Sequence, residues 1–332
     1  MARVCIISGT GWLGHRIVHK IAERGHQVVV VSRQESRAYL SGLPADVKFL
    51  KADRHECADF EHVLYGITAD VVIDVTPWLG AETESIVRAF QGRISHYIHC
   101  SSTGIYTPHS CLPATEEHEC VPHLEYGGFE HKIEVDEIVQ KHFRKEGFPA
   151  TILRPTNIMG PGKLPIDVWG GRHPDFLPRL LDGKPIIIPN DGRALLQPVF
   201  LDDLAEAFSL AMEQPHNSIG QVFNISSRYA ITLSHYIEIL RHELRSTSTV
   251  EYVPMEYIIR LFSGTPYLDV PGLRFICEHM CVDCKKADRV LGYRPTMTAE
   301  EAIRHTLKWF HETGNQKKVP ALGSDRKSSP SG

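Results

Sequence analysis

Apolar residues cluster in short unbroken runs over the first half of the chain. Val4-Cys5-Ile6-Ile7 ends in a glycine-rich turn, and Val28-Val29-Val30-Val31 forms a second run. Between them Ile17, Val18, Ile21 and Ala22 recur at helical spacing. The same alternation continues. The pattern predicts strands over 3–8, 26–31, 48–50, 70–75, 95–101 and 150–153. It predicts helices over 13–25, 57–64, 85–90 and 129–145. Near-continuous apolar strands separated by helices indicate a parallel sheet covered on both faces. Right-handed crossovers then give a doubly wound α/β fold.

After residue 160 the pattern loosens, and proline and glycine become frequent up to about 192. We therefore expect a first domain over 1–159, with 197–214 returning to it. A smaller, mixed second domain is expected over 160–196 and 215–314. Residues 315–332 are rich in Lys, Ser, Gly and Pro without an apolar period, and are expected to be a disordered tail.

Composition narrows the function classes. Of 332 residues 42% are hydrophobic and 23% charged, which excludes a disordered chain. Acidic residues outnumber basic ones, 40 to 36, so the basic excess of a nucleic-acid binder is missing and no such partner is expected. No apolar run approaches the roughly 18–20 residues that span a bilayer. The four apolar residues before Ser8 are too few for a secretion signal. Eight cysteines fit a reducing, cytoplasmic setting. Cys277, Cys281 and Cys284, with His279 among them, resemble half of a metal site whose other half is missing, so no metal is expected.

Gly9-Thr10-Gly11-Trp12-Leu13-Gly14 follows a predicted strand and opens a predicted helix. That context gives the spacing a mechanism. The first two glycines let the backbone approach a pyrophosphate, the third lets helix and strand pack closely, and the helix N-terminus offers free N–H groups. The first domain thus reads as a Rossmann-type dinucleotide-binding domain, and the second as its substrate-binding partner. An acidic residue at the end of the second strand would select NAD. Here Arg33 and Arg37 stand nearby instead, which favours NADP over NAD. Asp53, after the third strand, either accepts from the adenine amino group or forms the turn.

Further motifs stand in order: Asp74-Val75-Thr76, Ser101-Ser102-Thr103-Gly104-Ile105-Tyr106, Arg154-Pro155-Thr156-Asn157, Asp202-Asp203-Leu204 and Leu291-Gly292-Tyr293. The ordered set resembles the extended short-chain dehydrogenase/reductase superfamily, NAD-dependent epimerase/dehydratase group, over residues 3–312. Stretches 175–189 and 220–227 resemble its divergent branch of chloroplast stem-loop-binding proteins. The resemblance implies an NAD(P)-dependent oxidoreductase, epimerase or dehydratase acting by hydride transfer at a carbinol carbon of a sugar-like or nucleotide-sugar substrate. It implies cofactor contacts at Gly9 through Gly14, Thr76, Lys132 and Pro155. Ser102 would position the reacting oxygen, with Thr103 and Asn157 facing substrate. A homodimer through helices near 85–92 and 129–145 is also implied.

One departure concerns catalysis. The family tyrosine four residues before the lysine is replaced by Gly128, and the nearest tyrosine is Tyr126. Six residues of helix turn through about 600°, so Tyr126 and Lys132 share a face only if Gly127-Gly128 is a loop. Tyr126, Ser102 and Lys132 are the catalytic candidates, with His99, His123 and His131 as alternative bases. A second departure is Leu195-Leu196-Gln197, where sugar-nucleotide enzymes often carry an arginine for the diphosphate. The other reading is a non-catalytic dinucleotide sensor or RNA-associated protein on the same fold.

Overall fold

The computed structural model describes residues 1–33, 43–44, 46–127, 129–265 and 268–313. Arg37, Gly128 and the expected disordered tail lie outside the described residues. The first half alternates as β1 (Arg3–Ile7), α1 (Trp12–Glu23), β2 (Gln27–Ser32), β3 (Lys48–Lys51), α2 (Cys57–Tyr65), β4 (Val71–Asp74), α3 (Gly80–Phe90), β5 (His96–Cys100), α4 (Phe129–Glu146) and β6 (Ala150–Pro155). Then follow β7 (Ile158–Met159), α5 (Phe176–Leu181), β8 (Ile186–Pro189), β9 (Leu195–Leu196), β10 (Val199–Phe200), α6 (Leu201–Glu213), α7 (Pro215–Ser218) and β11 (Val222–Ile225). The rest comprises β12 (Ile231–Thr232), α8 (Leu233–Glu243), β13 (Val250–Val253), α9 (Met255–Phe262), α10 (Val270–Cys277), α11 (Lys285–Leu291) and α12 (Ala299–Glu312).

Seven strands pair in parallel in the order β11-β6-β5-β4-β1-β2-β3. Every residue of β4, β5 and β6 is buried, which is why these strands read as continuous runs rather than alternating ones. The strand order reverses at β1. Its C-terminal end therefore opens the crevice in which open α/β sheets bind ligands.

One face of the sheet is covered by α1 and α6. Ile17, Val18 and Ile21 share a core cluster with Leu204, Phe208 and Ala211. Along the rim, Arg16 forks onto Asp202, Lys20 reaches Glu206 at 2.9 Å, and Arg24 reaches Glu206 at 2.6 Å. The other face is covered by α2, α3 and α4, with Phe60, Leu64, Phe90 and Val139 in one cluster. In α4, Ile133, Val135 and Val139 are buried within the chain itself, while Glu134, Glu137 and Lys141 are exposed. Ile138, on the same helix, is only partly buried.

The expected division at 215 needs correction. Strand β11, from the stretch assigned to the second domain, is the seventh strand of the main sheet. Ala287, Leu291 and Tyr293, around α11, join the cluster of α1 and α6. Short pieces are hard to assign to a layer by periodicity, and four-residue β11 carries too little pattern to show its partner. The expected helix at 85–90 begins earlier, at Gly80; Glu82, Thr83 and Ser85 in its first turns are buried but polar, so no apolar spacing marked them. The remaining elements build a second core around Phe176, Leu196, Tyr236, Ile303 and Phe310. Among the described residues no helix is long and apolar enough to cross a membrane.

The tightest backbone approach holds α1 against the turn that follows β1. A Cβ on Gly14 would stand 2.3 Å from the Ser8 carbonyl oxygen and 2.7 Å from the Gly9 Cα. A Cβ on Gly11 would meet only the Ser8 oxygen, at 3.4 Å. Gly14→Ala should therefore destabilise the fold by about 1–3 kcal/mol through overpacking against backbone. Gly11→Ala should leave the thermal melting midpoint nearly unchanged. Equal midpoints for the two variants would contradict this reading.

Candidate active site

The site grows from the glycine turn. Ser8 takes a left-handed backbone with φ 63°, and its carbonyl accepts the Gly11 N–H at 3.1 Å. Gly11 caps α1 without a side chain, so the first N–H groups of the helix face the crevice unscreened. Two cavities flank this turn, one of about 510 Å³ and one of about 450 Å³, and Ser8, Gly11, Thr76 and Trp78 line both. Together they form a trough across the C-terminal edge of the sheet.

The first cavity is lined by Thr10, Ser32, Arg33, Asp53, Arg54 and His55, among others. Thr10 and Ser32 hydroxyls lie 2.6 Å apart, and Asp53 accepts the His55 backbone N–H at 3.1 Å. Arg54 is locked inward. It forks onto Asp74 at 3.0 and 2.9 Å, donates to the Thr76 carbonyl at 2.7 Å, and reaches Glu82 at 2.7 Å. Burial would raise the Asp74 carboxyl, and Arg54 overcomes that and holds it below its usual range. Arg33 is exposed and lines this cavity.

The second cavity brings together most of the expected catalytic and substrate residues. Ser102, Lys132, Asn157 and Pro155 line it beside Trp12, Leu13 and Gly14. The Ser102 hydroxyl oxygen accepts the Gly104 N–H at 3.1 Å, which leaves its own proton available to a ligand. The Lys132 amine donates to the carbonyls of Pro77 at 2.6 Å and Cys100 at 3.3 Å. Burial pushes its pKa down from the ordinary lysine value. Asn157 donates to the Met280 sulfur at 3.4 Å.

Other expected residues fall elsewhere. Thr103 is buried, its hydroxyl donates to the Pro155 carbonyl at 3.3 Å, and it lines neither cavity. Tyr126 donates to Glu278 at 3.1 Å and does not line either cavity. Burial and that carboxylate push its phenol up to about 12. The structure does not bring Tyr126 and Lys132 together. His99 is buried between Tyr97 and Asp136, with its Nδ1 3.2 Å from the Tyr97 hydroxyl and its Nε2 3.3 Å from Asp136. His123 lies against Glu125 at 3.5 Å, and His131 beside Trp78 at 5.5 Å between ring centroids. Burial pushes the thiols of Cys277 and Cys284 up to about 12. Among the described residues no group of three His, Cys, Asp or Glu side chains is placed to hold a metal ion.

Beneath the trough runs a line of buried polar groups. Tyr97 lies 3.4 Å from Asp74, and Asp136 holds Arg154 at 3.0 Å. Arg154 donates to the Tyr106 hydroxyl at 2.8 Å, and Tyr106 donates to Asn224 at 2.9 Å. With His99 bridging Tyr97 and Asp136, the line joins β4, β5, α4, β6 and β11. Arg54, Glu82, Lys163 and Arg172 also belong to the trough or its support, and sequence reasoning did not single them out. Only Lys163, directly after the Gly160-Pro161-Gly162 turn, had a usable signal.

Burial would raise the Asp136 carboxyl, but the His99 contact and the Arg154 charge outweigh it and hold it below its usual range. A carboxyl depressed in the folded state stabilises above its unfolded pKa of about 4, and the contribution is lost as pH falls through the folded value. Asp136→Asn should cost about 3–5 kcal/mol at neutral pH by leaving Arg154 buried and unpaired. It should also flatten the loss of stability below about pH 4. Denaturant titrations at pH 3 to 7 check both, and an unchanged acid limb would count against the assignment.

The comparisons agree with this geometry. The model of the NAD dependent epimerase/dehydratase family matches residues 4–226. The chain is 27% identical to the Arabidopsis thaliana chloroplast stem-loop binding protein of 41 kDa b, over 97% of this chain and 83% of that protein. It is 22% identical to the UDP-N-acetyl-alpha-D-glucosaminuronate decarboxylase of Bacillus cytotoxicus, over 95% of this chain and 100% of that one. Among solved structures it superposes on UDP-glucose 4-epimerase of Thermotoga maritima with UDP-glucose, at TM-score 0.74, 21% identity and 94% and 99% coverage of the two chains. It superposes equally well on dTDP-glucose 4,6-dehydratase of Bacillus anthracis in complex with NAD, at TM-score 0.75, 16% identity and 95% and 98% coverage.

Proposed function

Because the chain belongs to the NAD-dependent epimerase/dehydratase family, we propose that it exchanges hydride at a carbinol carbon of a sugar or nucleotide-sugar substrate. The observation that carries the reading is a single cavity placing Ser102, Lys132 and Asn157 beside the glycine turn and the open end of α1. The residues fit a dinucleotide. Gly11 carries no side chain at the ridge between the two cavities, which extend from the turn in both directions. Bound there, the cofactor supplies the hydride acceptor and donor. The helix N-terminus would hold its diphosphate, with Thr76 and Pro155 beside it.

Ser102 donates its free proton to the reacting oxygen and orients it. With Tyr126 turned to Glu278, Lys132 is the proton carrier we assign to this oxygen. Its two carbonyl contacts leave one position on the nitrogen for the reacting oxygen, and burial pushes its pKa down, which eases proton exchange there. Asn157 contacts the substrate. The alternative of a non-catalytic sensor or RNA-associated protein is not favoured, since a scaffold has no chemical need for Ser102 and Lys132 at one cavity.

We assign NADP as the preferred cofactor, because the exposed guanidinium of Arg33 lines the cavity on the adenosine side, the side on which a 2′-phosphate would lie. Calorimetric titration should give NADP about tenfold or more tighter binding than NAD, and Arg33→Ala should remove most of the difference. Equal affinities in the unmodified protein would contradict the preference. For the chemistry, the cofactor-loaded protein is offered a panel of UDP- and dTDP-sugars and free sugars, with absorbance at 340 nm and product chromatography as readouts. Ser102→Ala should lower turnover by roughly 100-fold or more. Undiminished turnover in Ser102→Ala and Lys132→Met would overturn the assigned roles.

A further inference from the structure

The substrate side of the trough is strongly cationic. Lys132, Lys163 and Arg172 all line the second cavity, and no carboxylate lines it among the described residues. Lys132 is committed to two carbonyls. Lys163 has no hydrogen-bond or ion-pair partner among the described residues. Its amine stands 5.4 Å from the Trp12 ring centroid, and Trp12 is itself pinned by its N–H on the Pro161 carbonyl at 2.5 Å. Arg172 is fixed by the carbonyls of Leu164 and of Ile158, the latter at 2.7 Å. The acid in its neighbourhood, Asp167, is occupied by the backbone N–H groups of Trp169, Gly171 and His173 at 2.7, 3.0 and 2.8 Å.

Two cations drawn together in a desolvated place repel each other, and burial and Arg172 push the Lys163 pKa down to about 8. Such a pair is relieved by an anion. Its place is informative, since Arg172 is anchored on the carbonyl of Ile158, next to Asn157. The anion would thus lie beside the reacting end of the substrate. The more distant stretch offers no comparable receptor. Leu196 is buried, and both ends of the Gln197 amide are used, donating to the Ser227 carbonyl at 2.8 Å and accepting from the Val282 N–H at 2.8 Å.

We propose that Lys163 and Arg172 form a receptor for an oxyanion, a carboxylate or phosphate, carried by the substrate close to its reacting carbon. The inference rests on the functional reading above and narrows it to acidic or phosphorylated sugars. The same chemistry could also be met by the cofactor's diphosphate, and the test separates the two sources.

The probes are inorganic phosphate, D-glucuronate and D-glucose, titrated calorimetrically into protein already saturated with the dinucleotide. Dinucleotide affinity is measured separately on the same variants. Phosphate and glucuronate should bind about tenfold or more tighter than glucose. Lys163→Met should abolish that advantage, Lys163→Arg should keep most of it, and dinucleotide affinity should stay within about twofold in both. Lys163 is half-buried and makes no hydrogen bond, so its variants should fold, and Lys163→Gln serves as a second neutral variant. If Lys163→Met instead weakens the dinucleotide about tenfold and leaves the anions unaffected, the pair clamps the cofactor and the proposal falls. Equal binding of glucuronate and glucose also sinks it. These readouts need no turnover. A failure of every sugar in the activity panel would therefore overturn the preceding functional reading while leaving the anion receptor standing.

Discussion

Everything at this site depends on how closely α1 approaches the end of β1. The Ser8 carbonyl and the Gly9 Cα occupy the space that any side chain at position 14 would need. That contact fixes the helix axis, and the axis aims unpaired N–H groups into the crevice where the strand order reverses. The two cavities on either side of the turn are consequences of this approach, since Ser8 and Gly11 form the ridge between them. A larger residue at 14 would push the helix away, lose the anion-binding geometry and merge the trough.

The second support is the buried polar line from Arg54 to Asn224. Isolated buried charges are strongly unfavourable, so its members persist only as partners of one another. Arg54 forks onto both oxygens of Asp74, Arg154 meets one oxygen of Asp136, and Tyr97 and Tyr106 carry the contacts across to the neighbouring strands. The line ties five elements at the C-terminal edge of the sheet, beneath the cavity that Ser102 and Lys132 line. It also separates roles. His99 and Asp136 are spent on this scaffold, and the ligand contacts we propose fall to the serine, the lysine and the outer cations.

Much of the fold was readable from the runs of valine and isoleucine, because strands buried on both faces have no other way to be written. The glycine turn was readable for the same kind of reason: only glycine fits at position 14. Strand β11 was not, since four residues carry no usable period and its partner β6 is remote in sequence. The buried network was equally hidden. Arg54 and Glu82 look like surface residues until the fold closes around them. At the catalytic end, the sequence showed that the tyrosine position holds glycine. Only the side-chain positions showed Tyr126 engaged with Glu278 and Lys132 left as the titratable group beside Ser102.

The central claim is that one trough holds a dinucleotide against Ser102 and Lys132. The most direct measurement is calorimetric titration of the unmodified protein and of Gly11→Ala with NADP and NAD. The account requires saturable binding of one dinucleotide per chain, weakened about tenfold or more by the Gly11 substitution without loss of folding. Absence of binding to either dinucleotide in well-folded protein would contradict it.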